Sequence, residues 1–76
     1  MTIFVKTVGT LKSLEEGTAF VSMDVPQQTS VSQVIERLNL KDEEVGFILV
    51  NGARGTTESI LQEGDQLTLI APLVGG

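Results

Sequence analysis

One short stretch limits what this chain can become. Ser30 and Gln33 have the spacing of a capping box, in which the serine side chain accepts from the N3 amide and the glutamine reaches back to the serine amide. Val31, Val34, Ile35 and Leu38 then follow at helical spacing as one apolar stripe, with Ser32, Gln33, Glu36 and Arg37 off it. Asn39 can end such a helix in the left-handed conformation, and Leu40 re-enters the core. A single amphipathic helix must bury its stripe on something, and the segments on either side alternate as strands do.

Ile3, Val5 and Val8 sit among Thr2, Phe4, Lys6 and Thr7, a period-two pattern that predicts a first strand. Gly9-Thr10 breaks it, residues 10–17 read as a loop, and Thr18 to Val25 alternate again as a second strand stopped by Pro26. These two strands suggest an N-terminal hairpin. Beyond the helix, Lys41 to Glu44 form an exposed acidic connection. Phe47-Ile48-Leu49-Val50 is a short apolar strand, and Asn51-Gly52 after it is the strongest two-residue hairpin signal. Residues 53–58 would return, Ser59 to Asp65 read as a single helical turn and a glycine turn, and Leu67 to Ala71 form the last strand before Pro72. The order is β-β-α-β-(short β)-β, an α+β fold with a mixed sheet of four to five strands packed on one main helix.

With 76 residues there is room for one domain, read as residues 1–72 with a flexible tail over 73–76. At 41% hydrophobic and 20% charged, the composition suits one compact core and not a disordered chain. There is no cysteine, so packing and not disulfides must supply stability. Met1 to Lys6 lack the basic start and long apolar run of a signal peptide, and runs such as Phe47 to Val50 are far too short to span a bilayer. The expectation is a soluble cytoplasmic protein, a monomer when free, with no membrane contact. Formal net charge is -5, and the basic residues Lys6, Lys12, Arg37, Lys41 and Arg54 are scattered, which disfavours nucleic-acid binding. The acidity either keeps the chain soluble or suits a basic docking face on a protein partner.

The inventory of reactive groups is thin. Without histidine or cysteine there is no imidazole base, thiol nucleophile or Cys/His zinc site. Glu15-Glu16 and Asp42-Glu43-Glu44 are adjacent carboxylates of the kind that usually make a solvated face. Gly52-Ala53-Arg54-Gly55 lacks the Lys-Ser/Thr and following helix of a phosphate loop. No stand-alone enzyme and no bound cofactor or metal is expected. The unusual feature is the end, Ala71-Pro72-Leu73-Val74-Gly75-Gly76. Lacking a Cβ, glycine lets a backbone approach another surface closely. A terminal diglycine is thus a thin thread that can enter a narrow site and present a free carboxylate.

Val45-Gly46-Phe47-Ile48-Leu49-Val50-Asn51-Gly52, then Leu61-Gln62-Glu63-Gly64-Asp65-Gln66-Leu67, then the Ala71 to Gly76 tail resemble the ubiquitin-like β-grasp family, and within it the MoaD/ThiS sulfur carriers. The resemblance covers nearly the whole chain and implies a carrier with no catalytic residues of its own. Gly76 would be adenylated by a MoeB/ThiF-like enzyme using ATP and Mg, then converted to a thiocarboxylate, with Gly75 as a thin spacer. The Ala71-Pro72-Leu73-Val74 approach resembles the proline-containing tail of the small molybdopterin synthase subunit, with Ala71-Pro72 where that tail tends to have two prolines.

The resemblance therefore implies a sulfur carrier for molybdopterin (molybdenum or tungsten cofactor) synthesis, partnered by the larger synthase subunit. A carrier for thiamine thiazole synthesis, partnered by thiazole synthase, and an archaeal-type protein modifier linked to lysines stay open, as does a plain interaction module. Alternation along the strands places Phe4, Leu49 and Ile70 on the face away from the helix. With Leu73 and Val74 they would form an apolar patch leading into the tail, similar to the docking face of ubiquitin-like proteins.

Overall fold

The computed structural model describes residues 1–8 and 20–72. The capping box forms as the spacing predicts: the Gln33 amide donates to Ser30 Oγ at 3.2 Å, and the Ser30 amide donates to Gln33 Oε1 at 2.8 Å. It opens helix α1, Val31–Arg37, which Leu38 caps. Asn39 follows with φ of 59°, the left-handed terminator, and Leu40 is buried. Arg37 lies in the last turn, where a cation suits the negative end of the helix.

The strands are β1 (Thr2–Val8), β2 (Val21–Asp24), β3 (Phe47–Val50), β4 (Ala53–Arg54) and β5 (Gln66–Ile70). They form one sheet in the order β2-β1-β5-β3-β4. β1 and β5 run parallel at its centre, and the other pairs are antiparallel. The helix stripe of Val31, Val34, Ile35 and Leu38 is buried in one cluster with Ile3, Val5, Ile48, Leu67 and Leu69 from the strands. Val25, Leu40 and Leu61 complete that core. This is the ubiquitin-like β-grasp architecture expected from the sequence, a mixed sheet carrying one helix.

Several local expectations change. The second strand is confined to Val21–Asp24 within the expected Thr18 to Val25, and Val25 turns into the core after it. Thr18, Ala19 and the expected loop over 10–17 lie outside the described residues. In β1 the buried side chains are Ile3, Val5 and Thr7, so Val8 points outward: the strand runs unbroken, and strict alternation takes Thr7 inside. The return strand is only Ala53–Arg54. The connection after the helix contains a short 3₁₀ turn, Asp42–Glu44.

Ser59 to Asp65 forms no helical turn. Its backbone is engaged with the start of α1 instead. The Val31 amide donates to the Ser59 carbonyl at 2.9 Å, Ser32 to Thr57 at 2.9 Å, and Leu61 to Thr29 at 2.8 Å. With Gln33 bonded to Ser30 Oγ and the Ser30 amide to Gln33 Oε1, all four amides that a helix N-terminus leaves unpaired find acceptors. That distant demand outweighs the local helical preference.

The hairpin turn between β3 and β4 has φ of 53° at Asn51 and 82° at Gly52, the left-handed pair that a two-residue hairpin of this kind needs. Asn51 also ties the turn to β5. Its side chain donates to Asp65 Oδ1 at 3.0 Å and accepts from the Gln66 amide at 2.9 Å. Leu69→Ala should lower stability by about 2–5 kcal/mol, the usual cost of emptying a buried leucine site. Ser30→Ala should cost about 1 kcal/mol through the lost cap. Urea unfolding of both variants checks the ranking.

Candidate functional site

α1 covers one face of the sheet, and among the described residues no helix or strand covers the other, the open face. Residues directly opposite in paired strands share a face, so the register lays out the open side. Phe47 lies opposite Ile70, and Ile70 opposite Val8. The next row holds Arg54, Leu49, Thr68 and Lys6. A third holds Gln66, Phe4 and Ser22, and beyond it Thr2 faces Asp24.

The structure brings Phe4, Leu49 and Ile70 to this one face, each half-buried, on a diagonal across three rows. Leu73, Val74, Gly75 and Gly76 lie outside the described residues. The more open apolar side chains are Phe47 (43% exposed) and Val8 (39%), which flank Ile70. Sequence reasoning missed both, although the signal was present: Phe47 has the parity of Leu49 on its strand, and Val8 that of Phe4.

This apolar row stands at the end of the sheet from which the chain departs. Ile70 is the last residue of β5. The Gly46 amide donates to its carbonyl at 2.7 Å, and the Ala71 amide donates to the Val8 carbonyl at 2.9 Å. Pro72, exposed, is the last described residue.

The charge around the row is not that of the whole chain. The Arg54 guanidinium stands over the Phe47 ring at 5.0 Å from its centroid, and the Lys6 ammonium over Phe20 at 5.5 Å. Asp24 is at the far end of the face, accepting from the Thr2 hydroxyl at 2.8 Å. Asp65 is engaged by Asn51 and by the Gln62 amide at 2.8 Å. In a chain of net charge -5, the described side chains at this end of the open face are the apolar row with Arg54 and Lys6 beside it. The arrangement offers docking and presentation: it brings an apolar row, two cations and the base of the tail together.

The Mut7-C ubiquitin family matches residues 3–73. The chain belongs to that family. The match ends at Leu73, so the terminal diglycine lies beyond it. No curated protein matches the sequence. Among solved structures, SAMP1 from Haloferax volcanii is similar with a TM-score of 0.70 and 20% identity, over 100% of both chains. A protein assigned as molybdopterin converting factor, subunit 1, from Pyrococcus furiosus has a TM-score of 0.69 and 21% identity over 95% of this chain and 98% of that one. Urm1 from Trypanosoma brucei has a TM-score of 0.69 and 20% identity over 99% of this chain and 95% of that one. The resemblance to ubiquitin-like carriers read from the sequence thus holds at the level of the fold across nearly the whole chain.

Because Ile70 and Leu69 are adjacent but on opposite faces, their substitutions should differ sharply. Ile70→Asp should retain cooperative unfolding with a loss of about 1 kcal/mol, as for a substitution outside the core. Leu69→Asp should abolish folding by burying an unpaired charge. Circular dichroism and urea titration distinguish the two.

Proposed function

We propose that this chain is a sulfur carrier whose working group is the Gly76 carboxylate and whose open sheet face docks the enzymes that use it. The observation that carries this reading is placement. Gly75-Gly76 follows within four residues of Pro72, where the central strand β5 gives way beside the row of Phe47, Ile70 and Val8. Four extended residues span at most about 13–14 Å, enough for a terminal carboxylate to reach an active site beneath a docked face. Glycine at the last two positions keeps that thread narrow.

In the proposed reaction, a partner adenylating enzyme supplies Mg-ATP and the catalytic groups. The Gly76 carboxylate oxygen attacks the α-phosphorus, pyrophosphate leaves, and an acyl-adenylate forms. A sulfide equivalent from a sulfur source then displaces AMP, leaving a thiocarboxylate in which one oxygen has been exchanged for sulfur. The carrier's part is to hold its docking face and the base of its tail together. Phe4, Leu49 and Ile70, joined by Phe47 and Val8, would make the apolar contact, with Leu73 and Val74 continuing it toward the diglycine. The proposed destination of the sulfur is molybdopterin synthesis, with the chain acting as the small synthase subunit beside a larger catalytic one. The likeness to the Pyrococcus furiosus protein supports that destination over thiazole synthesis.

Incubation with an adenylating enzyme, Mg-ATP and a sulfur source should raise the intact mass by one oxygen-to-sulfur exchange. A chain lacking Gly76 should show no such rise. Adducts on lysines in place of the thiocarboxylate would instead identify a protein modifier. Ile70→Asp should weaken capture by the adenylating enzyme while leaving the fold intact, as titration calorimetry would show.

A further inference from the structure

Gly46 precedes β3 and is exposed, so no demand of the core explains a residue without a side chain there. Its backbone φ lies outside the left-handed region, so alanine would not strain the chain locally. The space where a side chain would begin is taken by Pro72. A Cβ on Gly46 would lie 2.6 Å from Pro72 Cα, 2.9 Å from Pro72 N and 3.1 Å from Pro72 Cβ. The two nearest atoms are backbone, and no side-chain rotation relieves such a clash.

The same short segment is held from both sides. The Gly46 amide grips the Ile70 carbonyl at 2.7 Å, and the Val8 carbonyl accepts from the Ala71 amide at 2.9 Å. Pro72 adds its own rigidity, because its ring fixes φ. Three successive residues before the tail are therefore fastened: Ile70 and Ala71 by hydrogen bonds to opposite neighbours, and Pro72 by resting on bare backbone.

We propose that Gly46 is a positioning residue for the C-terminal tail: its missing side chain forms the floor on which Pro72 sits, and this sets the point and direction from which the diglycine leaves the sheet. The inference rests on the carrier reading, in which the tail must enter a partner's active site in register with the docked face. Gly46 touches no reacting atom and acts through Pro72. It also joins the two halves of the site, since the next residue, Phe47, belongs to the apolar row.

The test is Gly46→Ala, compared with the wild-type chain and with Ser30→Ala, which weakens the helix cap without touching the exit. In Gly46→Ala, amide hydrogen exchange at Ala71 should accelerate about ten-fold or more while Leu69 is unchanged, as for a local opening confined to the end of the strand. With the adenylating enzyme, KM for the carrier should stay near wild type. Turnover should fall about ten-fold to a hundred-fold, the scale on which a misplacement near 1 Å acts. Unchanged exchange at Ala71, or a turnover no lower than that of Ser30→Ala, would overturn the proposal. If the wild-type chain itself is not converted, the carrier reading fails, while exchange at Ala71 still decides whether Gly46 fastens the exit.

Discussion

The parallel pairing of β1 with β5 is the constraint on which the rest of this molecule depends. It joins the start of the chain to its last strand, with Val5 opposite Leu67 and Thr7 opposite Leu69. Those inward residues, with Ile3, make the floor that receives the helix stripe. Parallel strands cannot be joined by a tight turn and need a crossover, so β2, α1, β3 and β4 all lie between them in sequence. The outward residues of the same pair, Val8 and Ile70, form two thirds of the apolar row at the exit. One register thus fixes both the core and the surface from which the tail departs.

What was legible in the sequence was local. The Ser30 and Gln33 spacing, the helix stripe, the Asn39 terminator, the Phe47–Val50 strand and the Asn51-Gly52 turn all express chemistry decided within a few residues, and each is found where the spacing puts it. What was not legible depended on partners far along the chain. Ser59 to Asp65 has a plausible local turn of helix, but its Ser59 carbonyl serves the Val31 amide and its Leu61 amide donates to Thr29. Val8 resembles a core residue until β1 is seen to continue through Thr7, whose place on the inner face sends Val8 outward.

The candidate site follows the same division. The alternation that put Phe4, Leu49 and Ile70 on the open side was right about the face. It did not reveal that cross-strand pairing lines up Phe47, Ile70 and Val8 at the exit, because register is a property of two strands and not of one. Nor could a net charge of -5 reveal that Arg54 and Lys6 both stand over aromatic rings, Phe47 and Phe20, while Asp24 accepts from Thr2 and Asp65 from Asn51 and Gln62. The packing of Pro72 on Gly46 was likewise hidden, since the two are remote in sequence and meet only through the β3–β5 pairing.

The central claim is that docking at the exit end of the open face and use of the tail are one event. Hydroxyl-radical footprinting of the chain, alone and with an adenylating enzyme and Mg-ATP, tests it most directly. Phe47, Ile70 and Val8 should lose reactivity in the complex, while Val21 (68% exposed) and Ile60 (56%), the other open large apolar side chains among the described residues, stay reactive. Protection of Val21 and Ile60 with Phe47 unchanged would place the partner elsewhere and contradict the claim.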